Sequence, residues 1–184
     1  MSDYKKLHAA VIEASNSKDW NIAKLEWEFI SAYRDNSGKN CLCGHHIVEV
    51  CQIQNKHNLY ILEVGNECVK QFNQDFDNLA KNILTIEKCL SKNTPSNLAK
   101  FAFQKGLITE SELKFCLETA KKRKPSVKQE QWKININSKI IGRLKQRVCP
   151  KCRLGNLIDK KGKFGNFLGC SKYPECSHTE PISD

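Results

Sequence analysis

The sequence predicts an α+β fold in three segments. Ten cysteines are present, and eight of them form two groups of four, within residues 41–68 and 149–176. Apolar residues alternate with polar ones ahead of and within the first group, as in half-buried strands. Beyond it they recur at three- and four-residue spacing, as in helices. We therefore expect a zinc-stabilised amino-terminal α+β domain over 1–76, a helical bundle over 77–145, and a small zinc domain over 146–184.

The amino-terminal segment predicts one helix followed by an antiparallel sheet. Leu7, Val11 and Ala14 fall on one face of a helix over 3–15. Polar residues at 55–58 predict a hairpin turn that pairs Gln54 with Leu59. The predicted strands are Ala23–Tyr33, with Leu25, Trp27, Phe29 and Tyr33 facing the core, Ile47–Ile53 and Leu59–Val64.

The middle segment carries helix-start signals in front of apolar stripes. Thr94-Pro95 predicts one helix start. Thr109 with Glu112, and Ser126 with Gln129, have the spacing of capping boxes and predict two more. The last helix has an apolar stripe at four-residue spacing, formed by Trp132, Ile136, Ile140 and Leu144. Cys89 and Cys116 stand alone in helical segments, where we expect them to be small buried hydrophobic residues.

The positive charge is concentrated at the carboxyl end. The chain has 184 residues and a net charge of +10. Residues 1–120 hold 14 Lys and Arg against 15 Asp and Glu, whereas residues 121–184 hold 16 against 5. This asymmetry predicts a polyanionic partner for the carboxyl third.

The start of the chain has no apolar segment followed by a cleavage site, and no window is apolar enough to span a membrane. We therefore expect a cytoplasmic or nucleoid-associated protein. Its thiols would stay reduced in that compartment, and clustered cysteines there favour metal sites over disulfides.

The carboxyl-terminal cysteines have the spacing of a zinc site. Cys149 and Cys152 are separated by two residues, and Cys170 and Cys176 by five. Four thiolates in two such pairs hold one tetrahedral Zn²⁺. Between the pairs we predict a strand at 156–159, a basic turn at 160–163 and a second strand at 164–168. This is the pattern of a zinc ribbon, whose folding depends on the metal because it has too few apolar residues for a core.

The same segment resembles a known family. Cys149-Pro-Lys-Cys152, followed by Gly165-Asn166-Phe167-Leu168-Gly169-Cys170-Ser171-Lys172-Tyr173-Pro174-Glu175-Cys176, resembles the four-cysteine zinc ribbons at the carboxyl end of type IA DNA topoisomerases. The resemblance implies DNA binding, largely of single strands, without chemistry of its own. Arg153 stands where that family usually has glycine, which changes the loop but none of the four ligands.

Side chains of the ribbon independently predict contacts with single-stranded nucleic acid. Aromatic rings among lysines stack on bases and attract the backbone without reading the sequence. We assign Phe167 to the small core of the ribbon. The predicted contact residues are Lys160, Lys161, Lys163, Phe164, Lys172 and Tyr173.

A second zinc site is predicted near the amino terminus. Its clear ligands are Cys41, Cys43 and Cys68, an arrangement that resembles treble-clef zinc knuckles in outline. The predicted hairpin pairing places Cys68 level with His45, which makes His45 the first choice for the fourth ligand and His46 the second. The same pairing places Cys51 and His57 too far from the site. The chain is thus expected to bind two Zn²⁺ ions.

The function that these features favour is zinc-dependent DNA binding without catalysis. One alternative is a metal-dependent nuclease, because His46 and Asn58 resemble two of the three parts of an HNH motif. The third part, a helical His or Asn after Cys68, is missing. Another alternative is an adaptor whose nearly neutral residues 1–120 bind a protein partner while the ribbon localises it to DNA.

Overall fold

A computed structural model describes residues 4–145, 148–149, 151–163 and 165–181 of the chain, and it confirms the α+β class. The helices are α1 Tyr4–Glu13, α2 Trp20–Ala23, α3 Asn66–Val69, α4 Gln74–Lys88, α5 Ser96–Gln104, α6 Glu110–Thr119 and α7 Val127–Leu144. The strands are β1 Trp27–Arg34, β2 Glu49–Asn55, β3 Ile61–Gly65, β4 Leu157–Gly162, β5 Gly165–Cys170 and β6 Thr179–Pro181.

One hydrophobic core joins the first sheet to the helices. Strands β1, β2 and β3 form an antiparallel sheet in that order. The buried residues from Leu7 in α1 to Leu144 in α7 form one contiguous cluster. Within it, the ring of Phe29 lies 5.8 Å from that of Phe76 and 5.7 Å from that of Phe101. The boundary between residues 76 and 77 stays a prediction. None of the helices in the described part of the chain has the length and apolar content needed to cross a bilayer.

The first strand begins later than predicted. Residues 20–26 form α2 and one 3-10 turn instead of extended chain, because the side chain of Asp19 caps α2. Leu25, expected to face the core, is consequently 64% exposed. A β-bulge then interrupts the pairing between Phe29 and Ser31. An extra residue there shifts the alternation of faces, so that Ala32 is buried in place of Tyr33.

The hairpin between β2 and β3 has a different register from the predicted one. Gln54 pairs with Ile61, and Cys51 with Val64. Asn55 extends the pairing by one residue, because its N–H donates to the carbonyl of Tyr60 at 2.8 Å. The side-chain oxygen of Asn55 also accepts the N–H of His57 at 2.8 Å, which holds the turn closed.

The helix-start signals of α6 and α7 are confirmed. Thr109 and Ser126 each form a complete capping box. Helix α5 begins at Ser96, one residue later than expected, with Pro95 as its N-cap residue. In α7 the stripe is buried except for Trp132, which is 42% exposed and packs on a neighbouring ring of α6. Cys116 is buried as predicted, whereas Cys89 is only partly buried because it lies just beyond the end of α4.

Glu26 ties the α1–α2 loop to the hairpin turn and provides a stability test. Its buried carboxylate accepts the N–H groups of Asn16 and Ser17, both at 2.8 Å, and Nδ2 of Asn55 at 2.9 Å. Burial alone would raise the pKa of Glu26, but these hydrogen bonds outweigh it and lower the pKa below its ordinary 4.5. At pH 7, Glu26→Gln is expected to lower the free energy of unfolding by about 1–3 kcal/mol.

The pH dependence separates this effect from simple loss of packing. Because the pKa of Glu26 is lowered in the folded protein, its contribution is present above pH 4.5 and is lost as the pH falls through the folded pKa. The difference between wild type and Glu26→Gln in chemical unfolding should therefore shrink below that pH. Glu28→Gln, which removes an exposed ion pair with Lys105, is the control and should cost no more than about 1 kcal/mol. A pH-independent difference for Glu26→Gln would contradict the prediction.

Candidate metal centres and nucleic-acid interface

The four carboxyl-terminal sulfurs come together at one point. Cys149, Cys152, Cys170 and Cys176 have their sulfur atoms within 4.8 Å of one another. The Cys149 and Cys176 sulfurs are 3.7 Å apart, and the Cys152 and Cys170 sulfurs are 3.6 Å apart. A tetrahedral Zn²⁺ with bonds near 2.3 Å requires separations of about 3.8 Å between its sulfur ligands. The cluster therefore fits zinc.

The backbone around this cluster is shaped to receive thiolates. Backbone N–H groups of Leu154 and Gly155 lower the pKa of Cys152, which favours its metal-binding form. The N–H of Lys172 lies 3.3 Å from the Cys170 sulfur and stabilises negative charge there. Position 155 has no room for a side chain, because a Cβ there would lie 2.7 Å from the Cys170 sulfur.

One face of the ribbon carries a groove beside the metal site. Strands β4, β5 and β6 form an antiparallel sheet, in which Lys160 pairs with Phe167. Paired residues project from the same face, and Tyr173 completes the wall: its ring centre lies 5.0 Å from Nζ of Lys160. We call this cavity of about 320 Å³ the ribbon groove; His178 also lines it. Tyr173 is 67% exposed and available for contact.

The structure separates the predicted contact residues. Lys160 and Lys161 belong to β4 and not to a turn, so they project from opposite faces of the sheet. Lys163 is exposed in the tight turn between β4 and β5, and Lys172 is exposed in the loop after Cys170. Phe164 lies outside the described residues.

Two lining residues of the groove were not predicted as contacts. The core of the ribbon consists of its cysteines with Leu157 and Leu168. Phe167 lies on the other face, half-buried against the groove, so its assignment to the core is wrong. The alternation of faces along β5 was the available signal. His178 lines the groove and lies 3.0 Å from a carboxylate oxygen of Glu180.

The cysteine geometry and the sheet together agree with a known family. Residues 146–184 match the topoisomerase DNA binding C4 zinc finger. The resemblance predicted from the cysteine pattern is therefore confirmed for this segment. The chain carries a zinc ribbon of the topoisomerase type, and both of its cysteine clusters are compatible with zinc.

Curated relatives match the same region. DNA topoisomerase 1 of Methanocaldococcus jannaschii is 60% identical over 37 residues, and that of Rickettsia prowazekii is 56% identical over 36 residues. Each match covers 20% of this chain and 5% of the topoisomerase. The uncharacterized protein YrdD of Escherichia coli is 50% identical over 34 residues, which is 18% of each chain. No solved structure matches the chain.

Arg153 joins the ribbon to the amino-terminal sheet. Its backbone has φ of 58°, a left-handed conformation that favours glycine. Its guanidinium lies 3.6 Å from the ring centre of Tyr60, and its carbonyl accepts Nε2 of Gln54 at 3.4 Å. The cation–π contact offsets the cost of a non-glycine residue at this position.

The amino-terminal cluster brings three sulfurs together. Cys41, Cys43 and Cys68 have sulfur atoms within 4.8 Å of one another, and all three are buried. Gly44, with φ of 89°, lies in the turn between Cys41 and His45, where the N–H of Cys41 donates to the carbonyl of His45 at 2.8 Å. This turn places the sulfurs of Cys41 and Cys43 next to that of Cys68, which lies in α3.

Close backbone packing supports this cluster. The N–H of Gly65 donates to the Cys41 sulfur at 3.2 Å. A Cβ on Gly65 would lie 2.7 Å from the side chain of Ile47, so glycine is required there. A hydrogen bond with the Cys68 thiol and backbone N–H groups of Cys43 and Gly65 lower the pKa of Cys41. The cluster opens on a cavity of about 240 Å³ that His45, His46 and Glu67 line.

The register argument that selected His45 as the fourth ligand is wrong, because β2 and β3 pair two residues away from the predicted register. Independently of that register, Nδ1 of His45 lies 3.5 Å from the Cys43 sulfur. This separation fits two ligands of one tetrahedral ion, although neither ring nitrogen of His45 lies within 4.8 Å of all three sulfurs. Cys51 lies outside the three-sulfur cluster, and burial raises its pKa to about 12. His45 therefore stays our proposal for the fourth ligand.

The two residues of the nuclease alternative do not meet. His46 lies beside the zinc cluster, at one end of β2. Asn58 lies in the turn at the other end, where its Nδ2 donates to the carbonyl of Ala14 and its oxygen accepts the N–H of Tyr60. The seven residues of β2 separate the two by about 20 Å. The geometry therefore gives no support to a shared active site of His46 and Asn58.

Proposed function

We propose that the protein binds single-stranded DNA in the ribbon groove, in the cytoplasm or at the nucleoid, and that zinc holds the groove in shape. The observation that carries the proposal is the exposed ring of Tyr173 beside the ammonium of Lys160 and the half-buried ring of Phe167. A base stacks on such rings, while lysine attracts the adjoining phosphate. The match of residues 146–184 to a DNA-binding finger supports the same conclusion.

Strand preference follows from the shape of the groove. Stacking on Tyr173 requires a base face that is free of its neighbours, and a paired, stacked base in a duplex does not offer one. We therefore expect a single-stranded oligonucleotide to bind more tightly than the matched duplex in fluorescence anisotropy at fixed salt. Equal affinities would contradict the strand preference.

Tyr173→Ala is expected to weaken binding of a single-stranded oligonucleotide about tenfold, since one stacked base contributes about 1–3 kcal/mol. Tyr173→Phe keeps the ring and should bind like the wild type. Phe103→Ala removes an exposed ring of α5 far along the chain from the ribbon, and it serves as the matched control. Unchanged affinity of Tyr173→Ala would leave charge alone as the source of binding and would overturn the groove model.

A further inference from the structure

A cationic cavity lies in the helical segment, away from the ribbon groove in sequence. It opens between the loop that joins α4 to α5 and the loop that joins α6 to α7, and its volume is about 430 Å³. We call it the cationic cavity. Five basic residues and one acidic residue line it: Lys92, Lys121, Lys122, Arg123, Lys133 and Glu130.

Lys133 is the residue that distinguishes this cavity from an ordinary basic surface. It is only 3% exposed. Its Nζ donates to the side-chain oxygen of Asn93 at 2.6 Å and lies 3.4 Å from the carbonyl of Ser91. An ammonium has three N–H donors, and both of these acceptors are uncharged. Within the described residues, this buried cation has no carboxylate partner.

Another partly enclosed lysine of the same bundle is paired differently. Lys139, whose side chain is 34% exposed, lies 2.9 Å from a carboxylate oxygen of Glu112. Burying a charge without a counter-ion is costly. The position of Lys133 is therefore explained if an anion from outside the chain completes the site.

The walls of the cavity are held in place by hydrogen bonds. Nδ2 of Asn93 donates to the carbonyls of Ala120 and Lys122, at 3.1 and 2.9 Å, and so joins the two loops. The buried amide of Asn137 donates to the carbonyls of Leu90 and Lys92, at 2.7 and 3.0 Å. These bonds fix the loops that carry the cations, which lowers the entropic cost of binding an anion.

Helix electrostatics explains only part of this charge. Cations just after the end of α6 compensate the negative end of its dipole, which accounts for Lys121 and Lys122. The dipole effect falls off within the last turn of a helix. Lys133 lies in the second turn of α7, so a dipole at a helix carboxyl end does not account for it.

We propose that the cationic cavity binds a phosphate group, and that in the DNA complex this group is a backbone phosphodiester. The assignment of this group to the DNA backbone rests on the proposed function of the ribbon, whereas the phosphate site itself does not. The chain then holds DNA at two places, by stacking in the ribbon groove and by charge in the cationic cavity.

The first test removes two exposed cations from the rim. Lys121→Gln/Arg123→Gln is compared with Lys100→Gln/Lys114→Gln, which removes the same charge from exposed positions of α5 and α6 that do not line the cavity. Each phosphate contact with a single strand steepens the slope of log affinity against log salt concentration by about 0.7. At 0.1 M salt, one such contact therefore contributes about fivefold to the affinity. The DNA affinity of the rim variant should fall by the equivalent of at least one such contact. The affinity of the control variant should fall by less.

The second test uses inorganic phosphate as the probe, with the full chain. Amide resonances of residues 91–93 and 121–123 are expected to shift to saturation in NMR titrations, and Lys133→Met should abolish the saturation. If DNA affinity is intact but the rim variant equals its control and phosphate gives no saturable shift, the cavity proposal is overturned. If phosphate saturates these amides while the full chain binds no DNA, the phosphate site stands and the function proposed for the ribbon fails.

Discussion

Cys170→Ser is expected to remove one of two zinc ions from the protein and to unfold the ribbon, with loss of the DNA binding that the ribbon groove carries. The buried core of the ribbon contains little besides the four cysteines and two leucines, Leu157 and Leu168. Burial of a leucine contributes only about 1.5–3 kcal/mol. A structural Zn²⁺ contributes about 10–16 kcal/mol of apparent binding free energy in small zinc domains. Loss of one ligand thus removes the dominant stabilising term.

Metal analysis and NMR would measure this outcome together. Zinc content should fall from two ions per chain to one, and the dispersed amide resonances of β4 and β5 should collapse while those of the large core persist. Cys89→Ser is the matched control, because Cys89 lies outside both clusters and its sulfur is hydrogen-bonded to the hydroxyl of Ser91. A Cys170→Ser protein that retains two zinc ions and a folded ribbon would contradict the assignment of this sulfur as a ligand.

The ribbon was predictable because a metal site imposes short, fixed spacings on the chain. Two residues between Cys149 and Cys152 determine the loop geometry almost independently of the rest of the sequence. Capping boxes were predictable for a similar reason, since the partners in Thr109–Glu112 lie three residues apart. Interactions between residues a few positions apart can be recognised from their spacing in the sequence.

Features that depend on distant contacts were not predictable. The hairpin register depends on how Asn55 closes its turn, and a shift of two residues keeps every side chain on its original face, so the apolar pattern does not reveal it. The cationic cavity depends on Asn93 joining two loops nearly thirty residues apart. None of these partners is marked by a spacing in the sequence.

His45→Ala is expected to lower the zinc affinity of the amino-terminal site at least about 100-fold, because changes to outer-shell partners alone cost about 10–100-fold. Nδ1 of His45 lies 3.5 Å from the Cys43 sulfur. His46 lines the same cavity, so His46→Ala is the matched control and should bind zinc like the wild type. Competition with a chromophoric chelator measures both affinities. Loss of affinity in His46→Ala alone would transfer the fourth position to that residue.

Thermal unfolding gives the same experiment a second readout, because this zinc site is part of the main core. Cys41, Cys43 and Cys68 belong to the contiguous cluster that includes Leu7 and Ile140. Metal loss here should therefore lower the midpoint of the whole helical and sheet core, whereas Cys170→Ser affects a cluster that is separate from it. His45→Ala should lower the main unfolding transition in a zinc-dependent manner, with recovery as zinc is added, since a ligand that binds only the folded state stabilises it by mass action.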